Sequence, residues 1–181
     1  MNEIKILENL KERNLQLDRY ISPAIDEQDN VLTLLSWTLS GNLSGYMQYR
    51  PNESKEKKNV EGRGRYYVRV GQGHDAVWGL ETYHYSNSIF CITEGLFDAV
   101  PLHNRNIGTA ALFTSNPKPM RPWLYTIPKM IVAIRDNDDA CKLQNYSDFS
   151  ITPISKDLGD ASNDEVDEIV GRILELNEQW I

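Results

Sequence analysis

Acidic side chains follow strand-like apolar segments at three places in the second half of the sequence. The acids at these places are Glu94, Asp136 and Asp138, and Asp157 and Asp160. A further carboxylate, Asp98, comes one helical turn after Glu94. Like charges that gather at one place repel each other, and a divalent cation relieves this repulsion. Carboxylate oxygens are hard ligands that favour Mg²⁺ or Mn²⁺, so these residues predict a metal site suited to phosphoryl chemistry.

The elements that would bring these acids together form a strand–helix–strand pattern. Strands are predicted over residues 88–93, 107–113, 129–134 and 148–154, with helices over 95–104 and near 121–126. Runs such as KMIVAI are almost entirely apolar, which is typical of parallel strands buried on both faces. The sequence therefore predicts an α/β fold with a mainly parallel sheet flanked by helices. Ligands of such sheets bind outside the carboxyl ends of the strands, so the acids should converge at one edge.

Each of these acids also has a structural explanation. Asp and Glu residues at strand ends commonly cap helices and form turns, so a single acid of this kind is structural more often than functional. The prediction of a metal site therefore depends on the combination of acids and not on any one of them.

Helices are predicted at both ends of the chain. Residues 2–20 carry apolar residues between Lys and Glu, and Pro23 would end that helix. The last helix begins at Ser162, with Glu165 three residues later in the spacing of a capping box. Its apolar face would consist of Val166, Ile169, Val170, Ile173 and Leu174.

The first half of the sequence predicts β-structure with a basic stretch. Strands near 31–39 and 44–50 form a hairpin, and seven basic residues against three acidic ones follow in 50–71. This stretch is either a solvated loop or a flap that contacts phosphates, because clustered Lys and Arg beside Tyr66 and Tyr67 suit a nucleic-acid backbone. The predicted nucleic-acid or nucleotide contacts are Arg50, Lys57, Lys58, Arg63, Arg65, Tyr67 and Arg69.

The composition indicates a globular protein. Of the 181 residues, 40% are hydrophobic and 25% are charged, which allows one domain and a smaller subdomain. We place the N-terminal α+β subdomain at 1–86 and the larger domain at 87–181. No apolar run approaches the length of a membrane span, and the N-terminus lacks the apolar segment of a signal peptide, so we expect a cytoplasmic protein. The formal charge of −7 argues against bulk coating of nucleic acid, but it permits a local basic groove.

Three segments together resemble the TOPRIM domain, the catalytic module of bacterial and phage primases, topoisomerases and some nucleases. These segments are TEGLFDA (93–99), AIRDNDDAC (133–141) and KDLGDAS (156–162). The Glu-Gly-x-x-Asp form and the Lys-Asp of the third loop look most like primases. Upstream, GYMQYRP, RYYVRVG and VWGLE are similar to the part of primase polymerase domains that precedes TOPRIM. The resemblance covers roughly residues 40–165 and implies the TOPRIM fold.

The resemblance also implies roles for the acids. Glu94 would be the acid/base or metal-adjacent glutamate, and Asp136 and Asp138 would be metal ligands. Asp98 would be either a further ligand or a residue that supports the ligands. Asp157 and Asp160 would complete another metal position. The ion would be Mg²⁺ or Mn²⁺.

The sequence departs from the family in two ways. The Asp-x-Asp motif usually continues to Ala-Gly, whereas this chain has Ala140-Cys141. The zinc module and the helicase or helicase-binding module of primases have no counterpart in this sequence, so we expect a nearly minimal TOPRIM protein. The two cysteines, Cys91 and Cys141, form neither a zinc cluster nor a disulfide framework.

Three functions are consistent with these observations. The first is a primase-like nucleotidyltransferase of a phage or mobile element, which makes short RNA primers on single-stranded DNA from ribonucleoside triphosphates, with a replicative helicase as partner. In a phage-encoded protein its location would be the bacterial host cytoplasm. The second is a metal-dependent TOPRIM nuclease, since the same carboxylates serve phosphodiester hydrolysis. The third is a non-catalytic module that docks on the replication machinery.

Overall fold

The computed structural model describes residues 4–38, 40–55, 64–71, 75–138 and 140–180 of the chain. It divides the chain into two compact units, Met1–Trp78 and Gly79–Ile181. The boundary predicted from the sequence lies slightly later, between residues 86 and 87. Among the described residues, no helix is both long enough and apolar enough to span a lipid bilayer.

The first unit contains a four-stranded antiparallel sheet. Its strands are β1 (Ala24–Asp26), β2 (Val31–Trp37), β3 (Leu43–Tyr49) and β4 (Tyr66–Val70), in that spatial order. Alternate residues of these strands point to opposite faces. One face buries Leu32, Leu34, Met47 and Tyr49. The predicted hairpin is therefore confirmed as the pair β2–β3, and each of the four strand ends lies within two residues of its predicted position.

A short helix packs on the first sheet, where the sequence predicted a long one. Helix α1 covers only Ile6–Glu12, and a 3₁₀ turn follows at Leu17–Arg19. The predicted helix over 2–20 is wrong because Asn14 adopts a left-handed conformation with φ of 57°. The Tyr49 hydroxyl donates a hydrogen bond of 2.8 Å to Asn9 Oδ1 and so fixes α1 to β3.

The second unit contains a parallel sheet of four strands in the order β6-β5-β7-β8. These strands are β5 (Ile89–Thr93), β6 (Thr109–Ala111), β7 (Met130–Ile134) and β8 (Phe149–Ile151). Every residue of β5, β6 and β7 is buried, as the continuous apolar runs predicted. Because the strands are parallel, the chain leaves β5, β7 and β8 at the same edge of the sheet.

Three helices accompany the parallel sheet: α2 (Leu96–His103), α3 (Arg121–Leu124) and α4 (Asn163–Trp180). Further 3₁₀ turns lie at Leu80–Tyr85, Lys118–Met120, Leu143–Tyr146 and Leu158–Asp160. Helix α4 buries Val166, Ile169 and Ile173 against residues of the sheet, with Val170 packed beside them. Leu174, which the sequence placed on the same face, is 49% exposed, because it lies about 100° around the helix from Ile173.

Candidate active site

The first acidic loop joins β5 to α2. Glu94 is half-buried, and its carbonyl oxygen accepts a hydrogen bond of 2.9 Å from the Phe113 amide beyond β6. Gly95 is the N-cap of α2, and its extended backbone turns the chain from the strand into the helix. The side chain of Glu94 is thereby held at the carboxyl end of the central strand β5.

Asp98 lies at the third position of α2 and is only 8% exposed. Its Oδ2 accepts a hydrogen bond of 3.0 Å from the Gly95 amide, and its Oδ1 accepts one of 3.0 Å from the Gly159 amide. Gly159 belongs to the third acidic loop, so Asp98 connects two of the three loops.

The second acidic loop follows β7. The Asn137 amide donates a hydrogen bond of 2.8 Å to the Lys156 carbonyl, which joins this loop to the third one. Asp138 is exposed, and its Oδ1 accepts hydrogen bonds of 2.9 Å from the amides of Ala140 and Cys141. Asp136, in contrast, is partly buried at the end of the strand.

The third acidic loop leads from β8 to α4. Asp157 caps the 3₁₀ turn, since its Oδ1 accepts a hydrogen bond of 3.0 Å from the Asp160 amide. Asp160 is exposed at the end of that turn. Glu165 holds the loop from the side of α4, because its Oε1 accepts hydrogen bonds from the Ile154 and Ser155 amides. The predicted capping box therefore forms in part: the Glu165 amide binds Ser162 Oγ, while the carboxylate binds this loop.

The electrostatics of these loops demonstrate that the acids influence each other. Burial, together with the charges of Glu94, Asp157 and Asp138, raises the pKa of Asp136 to about 6, against an opposing effect of Lys156. Burial and the charges of Asp136 and Asp157 together raise the pKa of Asp98 to about 7, although the hydrogen bonds from the Gly159 and Gly95 amides oppose this rise. The structure therefore brings five of the six predicted acids into one electrostatic cluster: Glu94, Asp98, Asp136, Asp138 and Asp157.

Two residues at this edge have no role in the site predicted from the sequence. Lys156 places a positive charge near Asp136 and lowers the pKa of that carboxyl. Cys141 is buried, burial raises the pKa of its thiol, and the charges of Asp136 and Glu94 also act on it. The only sequence signals were that Lys156 directly precedes Asp157 and that Cys141 replaces a glycine of the TOPRIM pattern.

The acidic cluster has the donor chemistry of a magnesium or manganese site. Within the described part of the chain, no three Asp, Glu, His or Cys side chains are arranged to hold one ion together. Mg²⁺ commonly keeps several waters and binds through one or two carboxylates, with substrate phosphates completing the shell. The separated carboxylates fit such a hydrated ion, and its charge would offset the repulsion that raises the pKa of Asp136.

Four of the seven predicted nucleic-acid contacts share one face of the first sheet. Tyr67 and Arg69 lie two residues apart on β4, opposite Gln48 and Tyr46 of β3. The Tyr46 and Tyr67 rings lie 6.3 Å apart. Arg50 and Arg65 lie just beyond the ends of β3 and β4, and by strand alternation they belong to the same face. The Arg50 amide donates a hydrogen bond to the Arg65 carbonyl, and Arg50 Nη2 donates one of 2.9 Å to Gln48 Oε1.

The remaining residues of the basic stretch divide into two groups. Lys57, Lys58 and Arg63 lie outside the described residues. Tyr66 points to the opposite face from Tyr67, and its ring lies 5.3 Å from the buried Tyr49 ring. Of the two tyrosines in the basic stretch, Tyr66 therefore belongs to the core face of the sheet.

Comparisons with known proteins identify the fold. The primase fragment of the bacteriophage T7 primase-helicase protein matches with a TM-score of 0.52 and 13% identity, over 83% of this chain and 63% of that one. The chain has the fold of a primase catalytic core. The RNA polymerase domain of the Mycobacterium tuberculosis primase DnaG matches with a TM-score of 0.50 and 11% identity, over 92% of this chain and 65% of that one. The E. coli primase catalytic core matches with a TM-score of 0.50 and 13% identity, over 83% and 57%.

The primase-core fold confirms the TOPRIM-like α/β architecture predicted from the three motifs. No protein-family profile and no curated protein sequence matches the chain. The chain spans about 63% of the length of the T7 primase fragment.

Proposed function

We propose that the chain is a primase-like, metal-dependent nucleotidyltransferase that makes short RNA primers on single-stranded DNA, in the replication of a phage or mobile element. The observation that supports this proposal most strongly is the acidic cluster at the carboxyl edge of a parallel sheet, in a chain with the primase-core fold. The substrates are ribonucleoside triphosphates, and the partner we expect is a replicative helicase.

The acidic cluster would hold Mg²⁺ or Mn²⁺. Asp136 and Glu94 stand at the ends of the two central strands and would bind the ion, with Asp138 beside them. Asp157, with Asp160 next to it, would serve a second position. When bound, such ions supply charge stabilisation to the oxygens of a transferring phosphoryl group. The contribution of the chain is to position these carboxylates on buried, rigid strands.

The face of the first sheet that carries Tyr46, Tyr67 and Arg69, here called its outer face, would bind nucleic acid or nucleotide. Arg50, Arg65 and Arg69 provide charge for phosphates, and Tyr67 beside Tyr46 provides an aromatic surface for bases. Such contacts do not read the template sequence, because they use the backbone and the faces of the bases.

Primer synthesis tests the proposal. Wild type and the double variant Asp136→Ala/Asp138→Ala are incubated with single-stranded DNA, labelled ribonucleotides and Mg²⁺ or Mn²⁺. A matched control removes two exposed acids of α4 instead, as Asp164→Ala/Glu168→Ala. We expect wild type and the control to extend primers and the cluster variant to lose the product.

The same gel separates the alternatives. Metal-dependent degradation of the DNA or RNA, lost in Asp136→Ala/Asp138→Ala, would replace the primase proposal by the nuclease. Neither extension nor degradation, with and without an added helicase, would refute both enzymatic functions for this chain and leave an accessory module. A triphosphate-binding measurement adds to this, because a primase binds nucleoside triphosphates whereas a nuclease has no need to.

A further inference from the structure

Asp98 differs from the other acids of the cluster in how its oxygens are used. Each of its two carboxylate oxygens accepts a backbone hydrogen bond, Oδ2 from Gly95 and Oδ1 from Gly159, both at 3.0 Å. Gly95 directly follows Glu94, and Gly159 comes two residues after Asp157. The side chain of Asp98 is therefore a bridge between the loop of Glu94 and the loop of Asp157.

Both glycines are packed closely against this bridge. A Cβ on Gly95 would lie 2.5 Å from Asp98 Oδ2. A Cβ on Gly159 would lie 3.1 Å from the Phe97 carbonyl oxygen and 3.2 Å from Asp98 Oδ1. A side chain at position 159 would therefore require the third loop and α2 to move apart slightly.

Other contacts hold the third loop from different directions. The Glu165 carboxylate of α4 accepts hydrogen bonds from the amides of Ile154 and Ser155, which precede Asp157 in the chain. The Asn137 amide of the second loop donates a hydrogen bond to the Lys156 carbonyl. The hydrogen bond from the Gly159 amide to Asp98 joins the third loop to the helix that follows the first loop. Asp98 therefore contributes directly to the spacing of Glu94 and Asp157.

We propose that Asp98 is a positioning residue that sets the spacing of the metal-binding carboxylates by bridging the first and third acidic loops, and that it is not itself an ion ligand. This inference depends on the proposed function, since it assumes that Glu94 and Asp157 bind ions. Residues that orient metal ligands through hydrogen bonds typically change metal affinity by about 10- to 100-fold when they are removed.

The test compares two variants that disturb the bridge from opposite sides. Asp98→Asn keeps one acceptor oxygen and turns an amide donor toward the other backbone N–H. Gly159→Ala retains all the carboxylates and pushes the third loop away from α2. Gly171→Ala is the matched control, because a Cβ on Gly171 meets nothing within 4 Å. Mn²⁺ binding to each protein is measured by electron paramagnetic resonance, which gives the number of bound ions and their affinity.

The expected result is that Asp98→Asn and Gly159→Ala both bind Mn²⁺ about 10- to 100-fold more weakly than wild type, with the number of ions unchanged. The double variant should be little weaker than either single variant, because both changes disturb the same bridge between the two loops. Gly171→Ala should bind as wild type does. Circular dichroism of each protein verifies that it is folded, and Gly159→Ala alone decides the question if Asp98→Asn does not fold.

Two results would overturn the inference while the proposed function stands. One is a lower number of bound ions in Asp98→Asn, and the other is wild-type affinity in Gly159→Ala; either would make Asp98 a ligand or a bystander. Wild-type protein that binds no Mn²⁺ would overturn the proposed function, and this inference with it. The behaviour of the wild type thus separates the two failures.

Discussion

Replacing Asp98 by Asn should change how the stability of the metal-free protein depends on pH. Burial, followed by the charges of Asp136 and Asp157, raises the pKa of Asp98 from 3.8 to about 7 in the folded protein. Below pH 3.8 the carboxyl is protonated in both folded and unfolded chains. Between the two values only the folded chain keeps the proton, so its stability falls as the pH rises.

The magnitude follows from the size of this shift. A rise of about 3 pKa units at about 1.4 kcal/mol per unit corresponds to at most about 4 kcal/mol of stability, lost between about pH 4 and about pH 8. The Asn variant lacks this titration. The variant also loses one acceptor for a buried amide. This loss lowers its free energy of unfolding by about 1–3 kcal/mol at every pH and does not change how that free energy depends on pH.

Urea unfolding in the presence of a chelator measures the effect. The free energy of unfolding of wild type and of Asp98→Asn is determined at several pH values, with Asp164→Asn as a control at an exposed acid. We expect wild type to lose stability relative to Asp98→Asn as the pH rises, and Asp164→Asn to run parallel to wild type. Mg²⁺ should restore part of the loss, because a ligand of the folded state stabilises it.

The reasoning would be refuted if the difference between wild type and Asp98→Asn were constant across this pH range. Asp98 would then ionise alike in the folded and unfolded chains, and neither burial nor its acidic neighbours would act on it.

Three further predictions concern the core, the first sheet and its outer face. Ile169→Ala should lower the free energy of unfolding, measured by urea titration, by about 2–5 kcal/mol, because Ile169 is buried. Leu174→Ala on the same helix should change it by less than about 1 kcal/mol, because Leu174 is exposed. Equal effects of the two variants would contradict the way in which α4 packs on the sheet. Gly45→Ala would place a Cβ 1.9 Å from a carbonyl oxygen of β4, so we expect faster hydrogen exchange across the β3–β4 pair. Tyr67→Ala should weaken single-stranded DNA binding, measured by fluorescence anisotropy, by about 1–3 kcal/mol. Tyr66→Ala should mainly lower the free energy of unfolding, because its ring packs beside the buried Tyr49. If only Tyr66→Ala weakened DNA binding, the proposal that the outer face binds nucleic acid would be contradicted.

The sequence by itself predicted the parallel sheet and the edge at which the acids gather. Strands β5 and β7 are apolar at nearly every position, which is typical of short parallel strands buried on both faces. Parallel strands leave the sheet at one edge, so the acids that follow them had to meet there. Glu94 and Asp136 could therefore be placed together without coordinates.

Local patterns were less informative where a single backbone angle or a helix rotation decided the outcome. Helical periodicity continues past residue 13, yet Asn14 turns left-handed and ends α1. Leu174 fits an apolar stripe in the sequence, but the sheet covers only the side of α4 that carries Ile169 and Ile173. Tyr66 and Tyr67 are neighbours in a basic stretch, and strand alternation separates them onto two faces.

Only the tertiary structure decided what Asp98 does. The spacing Glu-Gly-x-x-Asp directs Asp98 toward the acidic edge, and this was visible in the sequence. Its second hydrogen bond comes from Gly159, 61 residues further along the chain, and its burial depends on how closely that loop packs on α2. Contacts between residues this far apart in the chain depend on the packing of whole elements, which no local sequence pattern records. For that reason the sequence alone left two roles open for Asp98, a ligand of the ion or a residue that supports the ligands.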